Sequence, residues 1–149
     1  MSDFTERAGS KFAVIRNKFI APCCYVSIEK DAADALVLSV HMITLSTMKI
    51  KTNEFLWIYL KITGDGNTIS PNGAAVTGNM FGLNPATTHI NHEGFFILKF
   101  QPSSGEMTIG AGVTSKVTVA TVLVNADVRV WTAHPIAYSI GANHVTPSQ

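Results

Sequence analysis

Charged residues are scarce in this sequence and are missing altogether from two long stretches. Asp, Glu, Lys and Arg make up 14% of the 149 residues, against roughly 25% in an ordinary soluble domain. None occurs from 66 to 92 or from 130 to 149. Interspersed charge usually keeps a monomer soluble, whereas the centres of protein interfaces are depleted of Lys, Glu and Asp. The scarcity therefore favours a surface covered by copies of the chain or by partners. The alternative is a neutral, hydroxyl-rich monomer.

Other absences narrow the class of protein further. The net charge of +1 gives no strong field for attracting nucleic acid, so we expect no specific nucleic-acid binding. No stretch approaches the roughly 20 apolar residues that span a bilayer. The N-terminal segment "MSDFTERAGSKF" lacks the apolar run of a secretory signal peptide. We expect a soluble chain made in a cytoplasm.

The two cysteines, Cys23 and Cys24, are adjacent. Neighbours on a strand point to opposite faces and are poorly placed for a mutual disulfide, and the pair lacks the spacing of a zinc site. We interpret them as small, partly buried residues in a reducing compartment. We expect no cofactor.

What the sequence does contain is hydrophobicity with a period of two. Segments such as "CYVSIEK", "ALVLSVHMITL", "NEFLWIYLKIT" and "KVTVATVLV" are typical of strands, and turn residues separate them. This pattern predicts one all-β domain, an antiparallel sandwich of jelly-roll or related Greek-key type. We place the domain at 1–149, with an N-terminal arm at 1–10 and a C-terminal tail at 141–149. A long loop excursion is expected at about 64–93, and at most short helical turns.

Several strands are apolar on both faces. In "NEFLWIYLKIT" one face carries an aliphatic core stripe of Leu56, Ile58, Leu60 and Ile62, and the other carries Phe55, Trp57, Tyr59 and Lys61. In "GFFILKF" one face is Phe96, Leu98 and Phe100, and the other is Phe95, Ile97 and Lys99. A free two-layer sandwich has one wet face per strand. We therefore expect a loop, a neighbouring subunit or a ligand to cover the outer faces.

Large aromatic residues on those outer faces are the candidates for binding. We assign an interface or ligand role to five of them: Phe55, Trp57, Tyr59, Phe95 and Trp131. Trp and Tyr anchor many protein interfaces and can stack on sugar rings. Three interpretations of the row Phe55, Trp57 and Tyr59 stay open: a second core layer beneath a loop, a protein interface, or a sugar platform.

The stretch "THINHEGFF" holds the weak candidates for a metal site, namely His89, His92 and Glu93. Pro85 and Gly94 make a helix between them improbable, and on a strand the two histidines would face opposite ways. The order also differs from the H-E-x-x-H zinc motif. We therefore predict a hydrogen-bonded polar loop and assign no metal. His41, beside Ser39 on its strand face, is interpreted as a half-buried, hydrogen-bonded residue.

Catalytic motifs are missing as well: the sequence has no G-x-S-x-G elbow, phosphate-binding glycine loop or Rossmann fingerprint. We expect no catalytic residues and no enzyme. A charge-poor β-sandwich without a signal peptide is typical of a structural, self-assembling virion component such as a capsid, decoration or appendage protein. The alternative is a lectin-like carbohydrate-binding module, and an enzyme of unrecognised type ranks third.

The partners expected from this interpretation are other copies of the chain, in a homo-oligomer for which a trimer is one option, and other virion proteins. Glycans are a further option. The expected location is the virion, after synthesis in the host cytoplasm.

Overall fold

We analysed a computed structural model, which describes residues 18–19, 23–64, 67–68, 75–86, 90–92, 95–124 and 126–144. The described part is almost entirely β-structure, with a 3-10 turn at Val128–Val130. In chain order the strands are β1 Lys18–Phe19, β2 Cys23–Lys30, β3 Ala35–Ile43, β4 Met48–Ile50, β5 Phe55–Gly64, β6 Asn67–Thr68, β7 Ala75–Thr77, β8 Asn84–Pro85, β9 Ile90–His92, β10 Phe95–Gln101, β11 Met107–Ile109, β12 Thr114–Val124 and β13 Trp131–Gly141. The predicted arm at 1–10 lies outside the described residues, and the tail is described as far as His144.

The strands form two large sheets and one small one, and every described pairing is antiparallel. The seven-stranded sheet has the order β1-β13-β5-β10-β8, with β6 on β5 and β9 on β10. The four-stranded sheet has the order β2-β3-β12-β7, and β11 pairs with β4. The all-β, antiparallel class is confirmed, while the jelly-roll or Greek-key type stays a prediction.

The core lies between the two large sheets. The seven-stranded sheet contributes the stripe predicted on β5, from Leu56 to Ile62, and the stripe of β10. The four-stranded sheet contributes Leu36, Leu38 and Val40 of β3 with Val117 and Val119 of β12. All of these side chains are at most 2% exposed. The core stripe predicted on β5 is thus confirmed, and the structure adds the inward faces of β3, β10 and β12.

The region predicted as a loop excursion at about 64–93 is more regular than expected. Its described parts include β6, β7, β8 and β9, which join both large sheets. A tight turn links Met80 to Leu83 through two backbone hydrogen bonds. Phe81 and Gly82 occupy this turn with φ of 57° and 82°, as a hairpin turn of type I′ requires.

Local polar contacts fix both ends of β3. At its start, the carboxylate of Asp31 accepts hydrogen bonds from the backbone N–H groups of Ala33 and Ala35. At its end, the buried hydroxyl of Thr44 donates to the carbonyl of Gly110 and accepts from the N–H of Val113, over 2.6 and 3.0 Å. These contacts set where β3 and β12 meet, which is where an accessible cavity lies.

Candidate functional site

Trp57 and Tyr59, two of the predicted binding residues, are buried inside the single chain. They are 3% and 0% exposed, while Phe55 at the start of β5 is half-buried. The indole Nε1 of Trp57 donates to the carbonyl of Gly141 over 3.0 Å. The hydroxyls of Tyr59 and Ser139 lie 2.8 Å apart in a buried hydrogen bond. Both polar groups are therefore satisfied by β13, the neighbouring strand.

Two aromatic rings and one cation contact Trp57. The edge of His144, from beyond β13, contacts the indole at a centroid distance of 5.4 Å, and Phe55 does so at 5.6 Å. Lys99 places its Nζ 4.1 Å from the centroid of Phe55 and 5.3 Å from that of Trp57. Such contacts of a cation with aromatic faces stabilise by about 0.5–1 kcal/mol at accessible sites.

We call this outer surface of the seven-stranded sheet the closed face, defined by Phe55, Trp57, Tyr59, Ile97 and Lys99. Ile97 is fully buried although it points away from the main core. Trp57, Tyr59 and Ile97 thus pack as a second core layer, which is one of the three interpretations left open by the sequence. A partner-binding role for the aromatic row stays a prediction, and Phe55 is its most accessible member.

Trp131 and Phe95, the other two predicted binding residues, lie elsewhere. Trp131 pairs with Gly64 and its ring fills the space above that glycine, so that a Cβ atom there would collide with it. It belongs to the main core, and its buried Nε1 meets no acceptor among the described residues. Phe95 pairs with Lys61 and His92 through its backbone, and its side chain lies outside the described part.

The weak metal candidates fall largely outside the described residues. His89 and Glu93 are not described, and His92 is described through its backbone alone, as the last residue of β9. Within the described ranges no group of three potential metal ligands comes together. The side chains that would decide the prediction at His89 and His92 are not among those described.

The outer surface of the four-stranded sheet is more accessible, and we call it the open face. It consists of Tyr25, Ser27 and Glu29 of β2; Val37, Ser39, His41 and Ile43 of β3; Thr114, Lys116, Thr118 and Ala120 of β12; and Ala75 and Thr77 of β7. Its outer strands are exposed at most of these positions. Val37 and Ser39, in the central strand, are 8% and 5% exposed.

The strand register arranges the open face in rows. One row crosses the sheet through Tyr25, His41 and Lys116. The next is entirely hydroxyl-bearing: Ser27, Ser39, Thr118 and Thr77. The third runs from Glu29 through Val37 and Ala120 to Ala75. The middle of the face is therefore uncharged and made of small side chains.

A cavity of about 550 Å³ opens at the Tyr25 end of the face. Its described walls are Tyr25, residues 41–43 of β3 and residues 114–116 of β12. The rings of Tyr25 and His41 stack at a centroid distance of 4.4 Å and an angle of 6°. His41 Nε2 also lies 3.5 Å from the hydroxyl of Ser27. Stacking on one side leaves the other face of the Tyr25 ring available, and Tyr25 is 61% exposed.

Ser27 and His41 lie 3.5 Å apart, and no third group of a catalytic triad accompanies them among the described residues. A nucleophile and base need a third group that orients the base, and none of the described carboxylates is hydrogen-bonded to His41. Among the described titratable groups, a marked charge effect lies elsewhere, at Asp127 beside the 3-10 turn. Hydrogen bonds from the side chain and backbone of Arg129 lower the pKa of that exposed carboxyl to about 2.

Sequence reasoning missed Tyr25, although a signal was present. In "CYVSIEK" the polar or amphipathic residues Tyr25, Ser27 and Glu29 alternate with Cys24, Val26 and Ile28, and the latter three pack against the core. The strand β12 likewise has an outer face, at Lys116, Thr118 and Ala120, which is exposed or half-buried. In "VTVATVLV" the outward residues Thr118 and Ala120 are small and uncharged. They therefore contrast little in polarity with the buried Val117 and Val119, and the outer face is hard to recognise in the sequence.

The described residues include no helix that is long and apolar enough to cross a membrane. No protein-family model matches the chain, and no curated protein matches it significantly.

Proposed function

We propose that this chain is a structural β-protein that associates with itself through the open face. The observation that carries the proposal is the uncharged centre of that face, where Ser39, Thr118, Val37 and Ala120 lie side by side. The two formal charges of the face border this centre on opposite sides: Glu29 is the β2 neighbour of Val37, and Lys116 lies two residues from Thr118 on β12. The centres of protein interfaces are depleted of Lys, Glu and Asp, and the centre of the open face shares that depletion.

Exposed apolar side chains support the same surface. Tyr25, Leu45 and Val113 are 61%, 58% and 41% exposed. Val113 immediately precedes Thr114 of the open face, and its backbone is bonded to Thr44, next to Leu45. Apolar groups gathered at the end of an accessible sheet mark interaction surfaces, and an aromatic anchor such as Tyr25 often contributes much of the binding energy.

The scarcity of charge supports a virion role within this proposal. A capsid, decoration or appendage protein is surrounded by copies of itself or by other virion proteins, so much of its surface need not carry charge to remain soluble. The charge-free stretches at 66–92 and 130–149 fit such surroundings. In this proposal the protein resides in the virion after synthesis in the host cytoplasm, and contributes contacts rather than catalysis.

The substitution Thr118→Arg tests the interface. It places a long charged side chain in the uncharged centre, at a half-buried position that points outward, so the monomer is expected to fold while self-association weakens strongly. Thr108→Arg is the matched control, because Thr108 is exposed on β11 in the small sheet. Sedimentation equilibrium measures both. An equal loss of association in the two variants, or none in Thr118→Arg, would contradict the proposal.

A lectin-like module is the second candidate, and Tyr25 is the observation that favours it. Its free ring face borders a cavity that also offers the polar groups of His41, Thr114 and Lys116, and an aromatic face beside hydrogen-bonding groups suits a sugar ring. If this candidate is right, the chain binds to a glycan array and Tyr25→Ala abolishes the binding without changing the mass in solution. Binding that survives in Tyr25→Ala would place any glycan elsewhere.

A further inference from the structure

The two formal charges of the open face are arranged in a way that suits a second copy of the same chain. Glu29 lies on the edge strand β2 and Lys116 on β12, and both are exposed. Neither forms an ion pair with another described residue. The nearby Lys30 is already paired with Asp34 over 2.9 Å. The face therefore offers one anionic and one cationic position that are available to a partner.

Ser39 lies midway between these two charges. Glu29 is paired with Val37, which lies two residues before Ser39 on β3. Lys116 is paired with His41, which lies two residues after Ser39, and β12 lies on the opposite side of β3 from β2. Strand spacings of about 4.8 Å and a rise of about 3.4 Å per residue put the two charges about 17 Å apart. In the plane of the sheet, the perpendicular to the line from Glu29 to Lys116 through Ser39 also passes through Ala75. Ala75 lies two strands from β3 and in the row of Val37, which is two residues from Ser39.

We propose that a second copy docks on the open face about a two-fold axis that lies along this diagonal through Ser39 and Ala75. The proposal rests on the proposed self-association and adds the partner and its register. A two-fold contact uses the same patch on both subunits. Rotation about this axis brings Glu29 of each subunit opposite Lys116 of the other, so that two ion pairs form at the rim.

The surface along the axis is suited to close approach. Ala75 is exposed, Ala120 is half-buried and Ser39 is 5% exposed. All three side chains are small and uncharged, so two faces can meet there without burying an unpaired charge. The ion pairs then lie at the periphery, where charged groups chiefly fix register and orientation. This contact builds a dimer, and closure of a trimer would need a different surface.

Charge reversal tests the register on the full-length chain. Glu29→Lys gives a face with two cationic positions, and Lys116→Glu a face with two anionic positions. Each variant alone is expected to self-associate about 10- to 100-fold more weakly, because two rim attractions become repulsions. In an equimolar mixture both pairs are again of opposite sign, so a heterodimer of near-original affinity should form. The double variant should likewise recover self-association.

Matched controls carry the same charge changes away from the open face. Lys49→Glu and Glu106→Lys alter exposed residues in and beside the small sheet, and are expected to leave association unchanged. Sedimentation equilibrium gives the affinities, and circular dichroism confirms that each variant is folded.

The possible outcomes separate this inference from the proposed function. Single variants that associate like the unaltered chain, or a mixture no tighter than either single variant, would overturn the two-fold register. If Thr118→Arg still dissociates the assembly in that case, the open face remains the interface in another register. An unaltered chain that is monomeric throughout would overturn both proposals.

Discussion

The outer faces of the two large sheets differ in what covers them. On the closed face Trp57, Tyr59 and Ile97 are almost inaccessible, and the polar side-chain atoms of Trp57 and Tyr59 are bonded to β13. On the open face Tyr25 and its neighbours border a cavity. The closed face carries the larger side chains and the open face mainly small hydroxyl and methyl groups. In this protein the outer face with the larger aromatic side chains is therefore the less exposed of the two.

This contrast changes where binding is expected. Large aromatic residues bury the most apolar area, so a chain that can cover them internally gains stability by doing so. A flat surface of Ser, Thr and Ala gains little from internal cover, and two such surfaces can approach each other closely. Among the described side chains, the exposed aromatic ring is that of Tyr25, at the end of the hydroxyl-rich face.

The largest expected effect follows from Trp57→Ala on the closed face. Removal of a buried indole, together with its hydrogen bond to Gly141, should lower the free energy of unfolding by about 3–5 kcal/mol. Urea denaturation followed by circular dichroism measures it. Tyr25→Ala on the open face is the comparison, and should change the stability of the monomer by less than about 0.5 kcal/mol. Similar losses in the two variants would remove the distinction between the faces.

A smaller effect is expected from Lys99→Met at the rim of the closed face. The substitution keeps most of the side-chain length but removes the charge that lies over the rings of Phe55 and Trp57. It should cost about 0.5–1 kcal/mol in the same denaturation experiment. Lys49→Met in the small sheet is the control, since Lys49 is exposed, lies outside the open face and has no ring contact among the described residues. No difference between them would mean that the cation contributes nothing to the closed face.

The sequence was sufficient for the all-β, antiparallel class and for the core stripe of β5. Alternation identified the inward stripe at Leu56–Ile62 because a period of two assigns each residue to a face, whereas for β10 it separated the two faces without showing which one is inward. The same alternation also showed that β5 is apolar on both faces. The alternation of residues along a strand predicts which face each residue occupies. It does not predict what packs against that face.

What covered the second face could not be predicted, because it depends on residues distant in the sequence. Trp57 is contacted by His144 and bonded to Gly141, and no short-range pattern links these positions to β5. The cavity likewise requires the register that brings Tyr25, His41 and Lys116 into one row. Three strands from two parts of the chain define that row. The sequence around each residue alone therefore does not predict that the three side chains come together.

The mass of the unaltered chain in solution, measured by sedimentation equilibrium over a range of micromolar concentrations, is the most direct test of self-association. The account predicts a mass that rises with concentration toward a multiple of 16.0 kDa. A mass that stays at that of one chain at every concentration, in a sample that remains soluble and folded, would contradict it.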